Sequence, residues 1–141
     1  LDDWSQRPES AIRHFSGTAR YHTEFELSAA PKHPDRVLLD LGHASVSARV
    51  RLNGTDLGVV WCEPWRVEVG EALQAGRNRL EIEVVNCWPN RLIGDGLLPE
   101  AQRRTHTNIR VYDRLDRKGR ERNAQRLPSG LHGPVRLVEV E

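Results

Sequence analysis

No apolar run in this 141-residue chain approaches the roughly 20 residues a helix needs to cross a bilayer, so no membrane-spanning helix is expected. Cysteine is scarce: Cys62 and Cys87 are the whole supply. Two cysteines with no CxxC spacing cannot form a disulfide scaffold, and two free thiols are the expectation. Lysine is nearly missing, with Lys32 and Lys118 standing beside 19 arginines. Net charge of one sign is missing too: +1 overall gives no global field to draw nucleic acid or an anionic membrane. The short motifs of common catalytic sites are absent. There is no HExxH for zinc, no GxSxG elbow for a serine nucleophile and no glycine-rich phosphate loop ahead of a helix. The six histidines are scattered at 14, 22, 33, 43, 106 and 132.

What is there is alternation. Tyr21, Thr23, Phe25 and Leu27 alternate with His22, Glu24 and Glu26. The same period of two runs through Val46–Leu52, Trp65–Val69 and Leu80–Val84. Such a period puts one set of side chains on a core face and the other toward solvent. Val37–Leu41 and Val135–Val140 are further strand candidates, and Pro31, Pro34, Gly42, Gly70, Gly76 and Pro89 break the runs. Asn53-Gly54 suits the positive φ angles of a tight hairpin turn. It should join strand 46–52 to one starting near Leu57. Glu71–Gln74 could make one helical turn, Leu98–Arg104 is a second helical candidate opened by Pro99, and nothing longer reads as a helix. Length and pattern together predict one all-β domain over residues 1–141, an antiparallel jelly-roll β-sandwich of about eight strands.

Residues 101–126 depart from this pattern. They carry nine basic and three acidic residues, a net +6, and leave −5 for the rest of the chain. A solvated loop or hairpin insertion explains such a run, with Asp116–Gly119 as its tip. An anion- or nucleic-acid-binding module is the alternative, but only Tyr112 is available there to stack on a base.

Few residues point to chemistry within the chain. A glycosidase needs two carboxyl groups about 5–9.5 Å apart. Asp40, Glu63 and Asp95 are candidates, and nothing in the sequence brings two of them together. The Asn53-Gly54-Thr55 sequon is already explained by its turn. The tryptophans are richer. Trp61, Trp65 and Trp88 fall at strand ends or in loops, and Asn90, Arg91 and Asp95 follow Trp88 in what reads as an irregular loop after Pro89. Indole faces stack on the C–H faces of sugars while amide, guanidinium and carboxylate groups bind hydroxyls. These six residues are therefore the candidate carbohydrate-binding set. The competing expectation is that the indoles close the ends of the core, and that Arg91 and Asp95 pair to brace their loop.

Resemblance sharpens this reading. Phe15–Tyr21, Leu52-Asn-Gly54, Leu57-Gly58, Trp61, Pro64–Val67 and Gly76–Val84 resemble the sugar-binding domain of β-galactosidase and β-glucuronidase relatives, a galactose-binding-like jelly roll. Trp88–Asp95, Leu98-Pro-Glu100, Arg104-Thr105, Leu127–Leu131 and Gly133–Leu137 are similar to the C-terminal domain of family 106 α-L-rhamnosidases. The resemblance runs from about Trp4 to Val140. It implies a non-catalytic accessory domain that packs on the catalytic domain of a glycoside hydrolase, whose carboxylates lie in a separate barrel. A rhamnose-containing polysaccharide is the implied ligand, and a spacer or docking module with no ligand is the alternative. Domains of this broad class often carry a structural calcium, for which no ligands can be assigned here. They also often have a strand upstream of Trp4, so an exposed edge open to self-association is expected. The polar start LDDWSQRPES is not a signal peptide. A secreted or periplasmic parent would carry its signal outside this chain.

Overall fold

Period-two runs and tight turns build two antiparallel sheets. The computed structural model describes residues 1–107 and 126–141. Among these residues there are seven strands, one fewer than expected: β1 (Gly17–Leu27), β2 (Val37–Asp40), β3 (Ser47–Leu52), β4 (Thr55–Val60), β5 (Arg66–Glu68), β6 (Gly76–Asn86) and β7 (Arg136–Glu139). The first sheet has the order β1-β6-β3-β4 and the second β5-β2-β7. β6 organises the first sheet. It pairs along its whole length with β1, from Gly17 opposite Asn86 to Leu27 opposite Gly76, and on its other side with β3. β1 and β4 are the edge strands of that sheet.

Alternation assigns the faces. Leu80, Ile82 and Val84 of β6 and Ala48, Val50 and Leu52 of β3 are buried, and they meet Leu39, Val67, Val69 and Leu41 from the second sheet and its flanks. Each fully buried aliphatic side chain of this size contributes about 1.5–3 kcal/mol. Asn53 and Gly54 take φ of 54° and 85°, as a two-residue hairpin requires. The Asn53 amide also works across the fold. Its Nδ2 donates to the Ala72 carbonyl and to Asn78 Oδ1, each at 2.8 Å, and its Oδ1 accepts from the Arg79 N–H at 2.8 Å. Asn78, fully buried, is satisfied in turn by the backbone of Gln74 and Gly76. The sequon asparagine is thus a fastener between two turns.

Three local expectations need correction. The loop expected over Asn90–Asp95 is an α-helix, with α1 at Ser10–Arg13 and α2 at Pro89–Gly96. Pro89 stops β6, but in the first turn of α2 its missing N–H costs nothing and its fixed φ favours the helix. The helical turn expected at Glu71–Gln74 is a 3-10 turn over Gly70–Ala72, and the one at Leu98–Arg104 contracts to Glu100–Gln102. The basic loop or hairpin insertion near 101–126, with its tip and Tyr112, falls largely outside the described residues.

Candidate functional site

Strand register decides which loops share an end of the sandwich. Val60 of β4 lies opposite Ala48 of β3, and Ala48 lies opposite Val84 of β6. The segment after β4 and the segment after β6 therefore leave the same end of the first sheet. They carry Trp61 and Trp88, which are 72% and 68% exposed. Trp65 is different. It is buried, with its ring edge-on to His43 at a centroid distance of 5.4 Å, and it closes the core as the competing expectation held.

The residues after Trp88 also divide. Helix α2 turns Asn90 and Asp95 inward. Asn90 Nδ2 donates to the Leu127 carbonyl at 2.7 Å, and its Oδ1 accepts the Leu127 N–H at 2.8 Å. Asp95 has no exposed surface. One of its oxygens accepts from Arg91 Nη2 at 2.6 Å, one helical turn back. The other accepts the Thr105 N–H at 2.9 Å and the Thr105 hydroxyl at 2.5 Å. Burial pushes the Asp95 carboxyl up, but the Thr105 bonds and the Arg91 charge outweigh it and hold the group below the usual carboxylate range. Arg91 and Asp95 thus brace this corner. Asn90, Asp95 and Trp65 stand behind the surface, and Trp61, Trp88 and Arg91 reach it.

Two concavities lie near these residues. One, of about 600 Å³, is lined by Phe15, Trp88, Arg91, Leu98, Arg104 and Thr105, with Ser10, Ala11 and Ser16 at its margin. The other, of about 450 Å³, is lined by Asp40, Gly42, Glu63, Pro64, Trp65 and Arg66. Trp61 lines neither. In the second, two of the candidate carboxylates share a cleft, but Asp40 is committed. The Gly42 N–H at 2.9 Å and Arg66 Nε at 2.9 Å bind its two oxygens and hold its carboxyl below the usual range. A glycosidic acid needs its pKa raised instead. Asp95, the third candidate, is buried in the α2 corner. Among the described residues no group of three or more histidine, cysteine or carboxylate side chains is placed to hold a metal ion. Cys62 and Cys87 are exposed free thiols.

Sequence reading missed Phe15, Leu98 and Arg104 as wall residues. They come from two segments, around Phe15 and over Leu98–Arg104, that only the packed fold brings together, and no local periodicity marks them.

A family model for the glycosyl hydrolase 2 galactose-binding-like domain matches residues 5–112. The chain belongs to this family. This galactose-binding-like domain is 38% identical to a rhamnosidase from Novosphingobium sp. PP1Y, with a TM-score of 0.82 over 97% of the chain and 12% of that protein. It is also 37% identical, over 97% of its length, to a Formosa agariphila protein named "Putative beta-glucuronidase", of which it covers 13%. A β-glucuronidase from Ruminococcus gnavus shares the fold alone, at 19% identity and a TM-score of 0.52 over 60% of the chain. The domain therefore spans about an eighth of the larger glycoside hydrolase relatives it matches.

Proposed function

We propose that this domain is a non-catalytic accessory module of an α-L-rhamnosidase-type glycoside hydrolase of family 106, near the C-terminus of its parent. It packs on the catalytic domain and binds carbohydrate through Trp88 and Arg91. The observation that carries the reading is the match to a rhamnosidase along nearly all of this chain and only 12% of that enzyme. A unit that recurs whole, inside a protein about eight times its length, fits an accessory role, with the catalytic carboxylates elsewhere. The exposed Trp88 indole, beside the braced Arg91, supports carbohydrate contact. A secreted or periplasmic parent acting on rhamnose-containing polysaccharide follows from the same reading.

The test is calorimetric titration of the domain with L-rhamnose and rhamnose-containing oligosaccharides, with and without calcium. Saturable binding that Trp88→Ala removes from a folded sample is the expected result. Flat titrations from a folded sample overturn the carbohydrate half and leave a docking module. Exposed apolar side chains at Val59, Val85 and Trp61 favour that second reading.

A further inference from the structure

The concavity beside α2 has an unusual lining. Two arginines, Arg91 and Arg104, line it, and among the described residues no carboxylate does. Arg91 is paired with Asp95, as Arg20 is with Glu83, Arg49 with Asp56, Arg51 with Glu81 and Arg66 with Asp40. Arg104 is exposed and has no carboxylate partner among the described residues. Asp95, the partner of Arg91, has no exposed surface and both of its oxygens are occupied. Its role is positional. One oxygen holds Arg91, and the other pins the backbone and hydroxyl of Thr105, directly after Arg104. Arg103 Nε adds a bond to the Leu98 carbonyl at 3.1 Å. A single buried carboxylate thus orients both flanks of the concavity, and such pre-organisation lowers the ordering cost of binding. Trp88, Phe15 and Leu98 supply its aromatic and larger apolar walls, and Ser10, Ser16 and Thr105 its neutral polar groups.

From this juxtaposition we infer that the Trp88–Arg91–Arg104 concavity is a subsite for an acidic sugar residue, its ring against the indole and its carboxylate or sulfate ester against the guanidinium groups. The assignment rests on the carbohydrate-binding reading above and adds the charge of the ligand. Arginine suits both anions because its planar fork matches their paired oxygens. At about 600 Å³ the concavity fits a small ligand. A single-stranded nucleic acid needs successive stacking platforms along a basic groove, and this lining offers the exposed Trp88 indole and only a half-buried Phe15 beside it.

The experiment titrates the whole domain with a rhamnose–glucuronic acid disaccharide, the same disaccharide as its neutral methyl ester, a sulfated rhamnoside and a short oligothymidylate. The acid should bind about tenfold more tightly than its ester, because one charged hydrogen-bonded contact is at stake. That preference should shrink with added salt and fall below about threefold in Arg104→Gln, an exposed change that leaves the fold alone. Trp88→Ala should weaken acid and ester alike. Tighter binding of the sulfated rhamnoside than of the uronate keeps the subsite and names sulfate as its anion. Equal binding of acid and ester overturns the acidic subsite but leaves carbohydrate binding intact. Acid binding untouched by Trp88→Ala places the site elsewhere and overturns it. Binding of none of the sugars by a folded domain overturns both readings, and a preference for the oligothymidylate replaces the sugar with a nucleic acid.

Discussion

The outer face of the first sheet and the corner around α2 both carry many charges, but they hold them in opposite ways. On the sheet, Arg20–Glu83, Arg51–Glu81 and Arg49–Asp56 lie across neighbouring strands, all partly in water, with the core beneath them made of Ala48, Val50, Ile82 and Val84. At the corner the charge is inside: Asp95 is fully buried and Asn90 nearly so, and each is bonded to a segment distant from α2 in the chain. On the sheet, apolar burial specifies the structure and the charges decorate it. At the corner, individual polar atoms do the specifying. Removing a buried acceptor strands its donors, whereas removing a wet one returns them to water.

The largest effect should therefore come from Asp95→Ala. It leaves Arg91 facing a void and the Thr105 N–H and hydroxyl unmet, and it should destabilise the domain by about 3 kcal/mol, read from urea midpoints. Asp95→Asn keeps the shape and should cost roughly half as much. The pH dependence has a definite sign. The folded carboxyl titrates below its ordinary value of about 4. The stability it supplies is complete above that pH and is lost as pH falls through the lower folded value. The gap between wild type and Asp95→Asn should thus be constant near neutrality and narrow in acid. A gap that widens in acid breaks the comparison.

Next comes Gly94→Ala, within α2. In an open helix, alanine for glycine stabilises by about 1 kcal/mol. Here the added Cβ would stand 2.7 Å from both Cβ and Cγ of His14, with Arg91 Nη2 at 3.0 Å. The sign should reverse to a loss of about 1–3 kcal/mol, again measured by urea unfolding. Below it stands Ile82→Val, under the charged sheet face, at about 1 kcal/mol. That mild value would confirm that the sheet tolerates small changes of shape, whereas the corner does not tolerate loss of one carboxylate.

The same contrast explains what could be read from the sequence. Strands β1, β3, β5 and β6 are legible because each writes its two faces into a period of two, and the Asn53-Gly54 turn, with β4 after it, because few residue pairs accept two positive φ angles. The bracing of Arg91 by Asp95 is legible as a pairing, since both sit in one short segment. The helix carrying them is not. Its eight residues include Pro89, Gly94 and Gly96, which argue against a helix one by one, and it exists because Leu92 and Ile93 are buried by tertiary packing. The partnership of Asp95 with Thr105 is a tertiary fact with no periodic trace. Nor could sequence separate buried Trp65 from exposed Trp61, because the three residues between them form an irregular segment with no repeating face.

The smallest effect belongs to Glu81→Gln on the sheet, and it is the most exacting test because a null result is the expectation. Glu81 accepts from Arg51 Nη1 at 2.8 Å and lies 3.4 Å from His22 Nδ1. The Arg51 hydrogen bond, opposed by burial and aided by the charges nearby, holds its carboxyl below the usual range. Arg51 has a second acid within reach, Glu83 at 3.5 Å, so losing the Glu81 charge leaves it paired. All these groups touch water, and such pairs give back most of their attraction in desolvation and side-chain ordering. The melting temperature of Glu81→Gln should stay within measurement error of wild type at physiological salt. Any residual difference should vanish by about 1 M salt, where the Debye length is near 3 Å. The Asp95→Asn deficit should persist at that salt, because no mobile ion reaches a fully buried carboxylate. A Glu81→Gln loss as large as that of Asp95→Asn, or an Asp95→Asn deficit that salt erases, would mean the two regions hold their charges in the same way.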